Sequence, residues 1–456
     1  MKKILFFIVS TLLLRCTSDD NPVEQSFVNL DAYKRYVESA RSAVTGIRKL
    51  NFSVPVKTAF LSRNKLSEEF VSNHRYYKNM TIMMKQLGLL PDTLKNLEPY
   101  IQEHYSGFPA AYYITGTDSL VVIDPYEYAQ EEFKGIVVHE LTHALQDQNF
   151  NLSQDVLYPD EPYSHFCTDF YLARRCVAEG DATVAQLLYL DSLQLLRASI
   201  SELIEGSKNT FYATFRSKEI PAYLTLLSYF PYNIGSDFVW KTWSSSGWNG
   251  VNALYYANRP VSTAEIITRE KIDPVNFDYY RLIQDLYDNV SSVQFAEDDN
   301  YGPVMLLALI SNFTDASHAI TALGWQGDRL LYVLSDNSQW GKFLWSFKFN
   351  SVENALYCFQ GLDFVMSGRT LNGFAPQRTL VTSDSLITFT TGTNSSVLLR
   401  NGETVFWMEN IDRTNEVVSG VITSSLAKQK YTTLRRIEID PEFIKIKKQV
   451  VDRIVP

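Results

Sequence analysis

His139 and His143 stand four residues apart in the run Val138-His139-Glu140-Leu141-Thr142-His143-Ala144-Leu145. That spacing restricts the fold more than any other feature of the chain. On an α-helix positions i and i+4 share one face about one turn apart, so that both imidazoles can reach a single ion at about 2.0 to 2.1 Å. Glu140 lies one step round the same helix, where its carboxylate can take a proton from a water on the ion without ligating it. The fold must therefore supply a helix here, a second element carrying a third ligand, and an open position for substrate.

The flanks agree with a helix. After Pro125, a helical pattern runs over Glu131–Gln148. Two β-rich runs precede it, Ala110–Thr115 and Leu120–Asp124, separated by Gly116-Thr117-Asp118-Ser119, and read as a hairpin. A strand at that place lines a substrate cleft and pairs with an extended peptide. The remaining histidines are His74, His104, His165 and His318, none of them in a His-x-x-Gly-x-x-His extension. A carboxylate is the better third ligand. Glu179 is the first choice, in Ala178-Glu179-Gly180-Asp181-Ala182-Thr183, because small neighbours let two helices approach closely. A glycine inside a helix lowers its stability unless close packing requires it. Asp181 and His165 are the rivals. Tyr232, with Arg259 behind it, is the candidate donor to a tetrahedral oxyanion.

The rest of the chain is organised around this centre. Lys2 and Lys3 precede an apolar stretch, Ile4–Leu14, too short for a permanent span, and then come Arg15, Cys16 and a polar string. This is the pattern of a secretory leader (1–15) ending at a lipidated cysteine, followed by a tether (16–27). No later apolar run reaches the roughly 18 to 20 residues of a membrane helix. The net charge of −9 becomes more negative once Lys2, Lys3 and Arg15 leave, which speaks against nucleic acid as a partner. Besides Cys16 there are Cys167, Cys176 and Cys358, too few for a disulfide scaffold. Cys167 and Cys176 are read either as a pair or as buried thiols.

Helical patterns cover Leu30–Leu50, Asn64–Leu90, about Asp169–Ile204 and stretches of 217–330, with interruptions expected at Pro221, Pro231, Gly235, Pro260 and Pro274. Strand patterns appear at Leu330–Leu334, Lys342–Phe349, Ser385–Thr391 and Val405–Met408, with a helix at Ser351–Met366. The expected class is α+β and mainly helical: a body over 28–324 and a C-terminal α+β module with its tail over 325–456. Trp325 and Asp328 are expected at their junction.

The runs His139–Phe150 and Ala178–Thr183, with Phe230–Gly235, Arg259–Ile267 and Gly324–Arg329, resemble a family of exported bacterial and archaeal zincin-like proteins. Cys16 and the acidic residues after it resemble bacterial lipoproteins. The resemblance implies a zincin-like metallopeptidase fold and a Zn²⁺ site with His139, His143 and Glu179 as ligands and Glu140 as base. It departs at Thr268-Arg269, where members carry His-Pro. It departs again at Thr183, where many carry an Asp that orients a ligand histidine. The expected activity is hydrolysis of a peptide or protein substrate at the cell envelope. The alternative is a zinc-stabilised surface binding protein of little or no activity.

Overall fold

Residues 137–146 are buried without interruption, the mark of a helix packed on every side. In the computed structural model they form the middle of Gln130–Phe150 (here α3). The structure describes residues 30–62, 74–100, 111–124 except 117, 130–152, 167–217, 221–277 except 276, 292–314, 324–336, 338–382 and 385–411. The leader, Cys16, the tether, His104, His165 and His318 lie outside these residues.

Preceding α3 in the chain are α1 (Leu30–Arg48), β1 (Lys57–Ser62), α2 (His74–Gln86), β2 (Ala111–Ile114) and β3 (Ser119–Asp124). β2 and β3 make the expected antiparallel hairpin, with Tyr113 opposite Leu120. β1 adds in parallel on the other side of β3, giving the order β1-β3-β2 and leaving β2 at an edge. One face of this sheet, through Tyr113, Leu120 and Val122, closes a core with Val37 and Val44 of α1 and Val138 and Leu141 of α3.

The helical pattern from 169 to 204 divides into α4 (Thr168–Ser192) and α5 (Ile200–Ser217). Between them Gln194 adopts φ 58°, a left-handed turn that a helix cannot continue through. α6 (Ala222–Ala253) corrects the interruptions expected at Pro231 and Gly235, since both lie inside it. The break falls instead at Gly247 (φ 59°, ψ −160°). Pro221 precedes the first turn as its cap residue. α4 and α6 cross at two glycines. A Cβ on Gly180 would overlap the carbonyl oxygen of Gly235, and one on Gly235 would overlap that of Cys176. The glycine in the middle of α4 is thus required by backbone contact, and it brings Glu179 against α3.

Beyond α7 (Thr263–Thr268) come β4 (Val293–Asp299), α8 (Gly302–Ser311), β5 (Trp325–Ser335), β6 (Lys342–Phe349), α9 (Val352–Gly368), β7 (Gln377–Thr382), β8 (Leu386–Thr391), β9 (Asn394–Asn401) and β10 (Thr404–Glu409). They build a second sheet of order β4-β5-β6-β10-β9-β8-β7. Its Trp345, paired with Trp407, faces a core shared with α8 and α9. β4 is a correction, because its stretch was expected to be helical; it pairs antiparallel with β5. The chain is mixed α and β with helices and sheets in separate layers, consistent with α+β.

Polar residues tie these layers together. Asp328 accepts from the backbone of Tyr301 and Gly302 at the start of α8 and from Trp345 Nε1 at 2.8 Å. Asp169, at the start of α4, accepts from Thr263 N at 2.9 Å and from the Thr263 hydroxyl. The Ser262–Ile267 block thereby has a structural account: Ser262 caps α7 and Thr263 joins it to α4. Arg369 and Glu409 form a buried ion pair joined by Gln86 of α2. Cys167 and Cys176 are both free thiols.

Candidate metal centre

α3 presents His139 and His143 on one face, and α4 brings Glu179 to the same place. His139 Nε2 lies 3.2 Å from His143 Nε2 and 3.3 Å from Glu179 Oε2, and His143 Nε2 lies 3.4 Å from that oxygen. One ligand atom from each residue falls within 4.8 Å of the others, and all three side chains are buried. Two imidazole nitrogens and a carboxylate oxygen converging at this separation suit a divalent cation of borderline softness, with one position left for another ligand. The donor set therefore fits the ion that the sequence implies. Among the described residues no other cluster of this kind occurs.

Proton positions follow from the neighbours. Gln146, one turn beyond His143, donates its amide Nε2 to the Ala178 carbonyl at 3.0 Å. Its oxygen therefore faces His143 Nδ1, 2.9 Å away, and must accept from it. In the neutral imidazole Nδ1 therefore carries the hydrogen, which leaves the Nε2 lone pair for the cluster. Gln146 thus fills the orienting role for which the sequence offered no carboxylate at Thr183. It lies within the same His139–Phe150 run, three residues after His143, where helical spacing could have found it.

Burial resists protonation of His143, but the Glu179 and Glu140 carboxylates overcome it and push the imidazole up to about 9. Glu179 is held well below the usual carboxylate range: burial opposes this, but hydrogen bonds with His139 and His143 and the charges of His143 and Arg175 prevail. Glu140 is raised, because burial outweighs the pull of the two histidines.

Glu140 sits in the cluster without being one of its three donors. Its Oε2 accepts from Tyr113 N on edge strand β2 at 2.9 Å. The Tyr113 hydroxyl in turn donates to Asp147 of α3 at 3.0 Å, and Gly116 N donates to the same carboxylate at 2.6 Å. Gln148 holds the same hairpin through Asp118 at 2.7 Å. The run His139–Phe150 therefore carries two of the three donors, Glu140 and the clasps that fix β2 beside them.

Tyr232 of α6 stacks on His139, with ring centroids 6.1 Å apart and planes at 22°. Burial keeps its phenol protonated far above neutrality. Arg259 donates from Nε and Nη2 to the Tyr255 carbonyl, which commits it to a different network. Asp181 belongs to that network too: Arg48 Nε lies 2.8 Å from its Oδ1, and Tyr255 donates to its Oδ2 at 2.8 Å. Replacing Glu179 with Ala is expected to weaken divalent-metal binding by at least about a hundredfold, the upper end of what loss of an outer partner of a ligand costs. Calorimetric titration measures this, and unchanged affinity would exclude Glu179 as a ligand.

No family model matches the chain, and no curated protein does. Among solved structures, a provisionally assigned hydrolase with a novel fold from Chloroflexus aurantiacus is similar over 58% of this chain and 96% of its own, at 15% identity and a TM-score of 0.33.

Proposed function

We propose that the chain is a zinc peptidase of the zincin-like type, exported and tethered to the cell envelope through a lipidated Cys16. The reading is carried by the placement of Glu140: an acid raised by burial, beside three converging donors but outside the donor set. A purely structural zinc site is normally closed by four protein ligands and has no use for such a group. Among the described residues no helix is long and apolar enough to cross a membrane.

His139, His143 and Glu179 would hold the ion, which supplies Lewis acidity towards a scissile carbonyl and towards water. The chain's own residues do the rest. Tyr113 N holds Oε2 of Glu140, leaving Oε1 to accept the proton of the attacking water and to return it to the leaving amine. β2, at the edge of its sheet, offers an extended peptide a strand to pair with. Tyr232, protonated and stacked on His139, supplies a hydrogen-bond donor for a developing oxyanion.

The zinc-loaded protein is expected to cleave members of a random peptide library, to stop on chelation, and to resume when zinc is restored. A protein that holds one zinc per chain and cleaves nothing would replace this reading with that of a zinc-stabilised surface binding protein.

A further inference from the structure

Pro231 lies inside α6. A proline within a helix has no N–H for the carbonyl four residues back. The carbonyl so released is that of Leu227. It is taken from outside the helix: Arg175 Nη1 of α4 donates to it at 3.2 Å. The Nε of the same guanidinium stands 3.5 Å from Oε1 of Glu179, one turn further along α4. The guanidinium carbon also lies over the Tyr232 ring, 5.8 Å from its centroid. Arg175 is 3% exposed. The two oxygens of Glu179 are thus divided: Oε1 faces Arg175, while Oε2 faces His139 and His143.

We infer that Arg175 is a positioning residue for the metal: anchored on the carbonyl that Pro231 releases, it sets its positive charge beside Oε1 of Glu179, so that Oε2 is the oxygen turned to the ion. The inference rests on the reading of His139, His143 and Glu179 as ligands. Its consequence is a one-oxygen carboxylate ligand, which keeps the coordination number low and a position open for substrate. A guanidinium suits this task because its rigid plane can donate to the Leu227 carbonyl from one Nη while holding its charge beside Glu179. An ammonium is a point charge on a flexible stem and cannot hold the same geometry.

The test uses the full chain and cobalt(II) as the probe metal, with affinity and visible d–d absorption read together beside thermal melts. Arg175→Met is expected to lose about 10- to 100-fold in cobalt affinity, and its bands are expected to weaken as Glu179 swings to offer both oxygens and the coordination number rises. Arg175→Lys should move both readouts the same way, since charge alone does not restore the bridge. Pro231→Ala is the sharper variant. It returns an N–H to Leu227 within α6 and so competes with Arg175 for that carbonyl. Cobalt affinity should fall several-fold while the melting temperature stays level or rises, a combination that a merely structural arginine would not produce.

If Arg175→Met fails to fold, the Lys and Pro231→Ala proteins decide. Wild-type affinity and band shape in both would overturn the inference, provided that cobalt binding is lost in Glu179→Ala. Failure of the wild-type chain to bind cobalt would overturn the ligand assignment itself, and this inference with it.

Discussion

Glu140→Gln is expected to leave one metal ion in the His139, His143 and Glu179 set and to lower peptide turnover by roughly 10²- to 10⁴-fold, the range a positioned general base contributes. The amide has the shape of the acid, and its oxygen can accept from Tyr113 N as the carboxylate does at 2.9 Å. Its nitrogen has no lone pair to receive a proton. Because burial already raises Glu140, removing the charge relieves a cost, and the melting temperature should stay level or rise. Metal content by elemental analysis and kcat on a library-derived peptide separate binding from chemistry. Turnover within tenfold of wild type, with metal retained, would remove Glu140 from the role of base.

Much of the centre could be read in the sequence because its parts obey local rules. The spacing of His139 and His143 implied a helix, and α3 provides it. The choice of Glu179 over Asp181 rested on small neighbours. Gly180, in contact with Gly235, gives that choice its physical reason. What escaped depends on partners distant in the chain. Arg175 meets Leu227 across 52 positions, and nothing near Arg175 announces that a proline in another helix has released a carbonyl.

β1 was invisible because a parallel pairing with β3 leaves no turn signal between the two strands. β4 does alternate, with Phe295, Glu297 and Asp299 on its buried side. Two of those three are acids, so hydrophobic periodicity missed it. Asp299 is buried because it accepts from Thr168 N at 2.7 Å and from the Thr168 hydroxyl at 2.6 Å at the start of α4. β9 and β10 meet around Asn401-Gly402, with Gly402 at φ 57°, a turn signal of the kind that marks hairpins.

Asp181→Ala is expected to destabilise the fold by about 3 to 5 kcal/mol. The side chains of Arg48 and Asp181 are fully buried and meet twice, Nε to Oδ1 at 2.8 Å and Nη2 to Oδ2 at 3.0 Å. Tyr255 donates to Oδ2, Asn252 accepts from Arg48 at 2.9 Å, and the Trp248 ring lies 4.0 Å from the guanidinium. The pair therefore ties α1 to α4 and to the last turns of α6. Removing the carboxylate leaves a cation with only Asn252 and an aromatic face to replace hydration, and burying a charge so poorly matched is costly. Arg48→Met added to Asp181→Ala should recover part of the loss, because it removes the stranded charge. Urea unfolding would read this as a lower midpoint at unchanged slope for the single variant and a partial return for the double. Metal affinity of the folded Asp181→Ala protein should stay within a few-fold of wild type, since its partners are Arg48 and Tyr255 and the ligand turn points the other way. A loss under about 1 kcal/mol accompanied by a large drop in metal affinity would reverse the assignment and make Asp181, two residues beyond Glu179, the group that serves the ion.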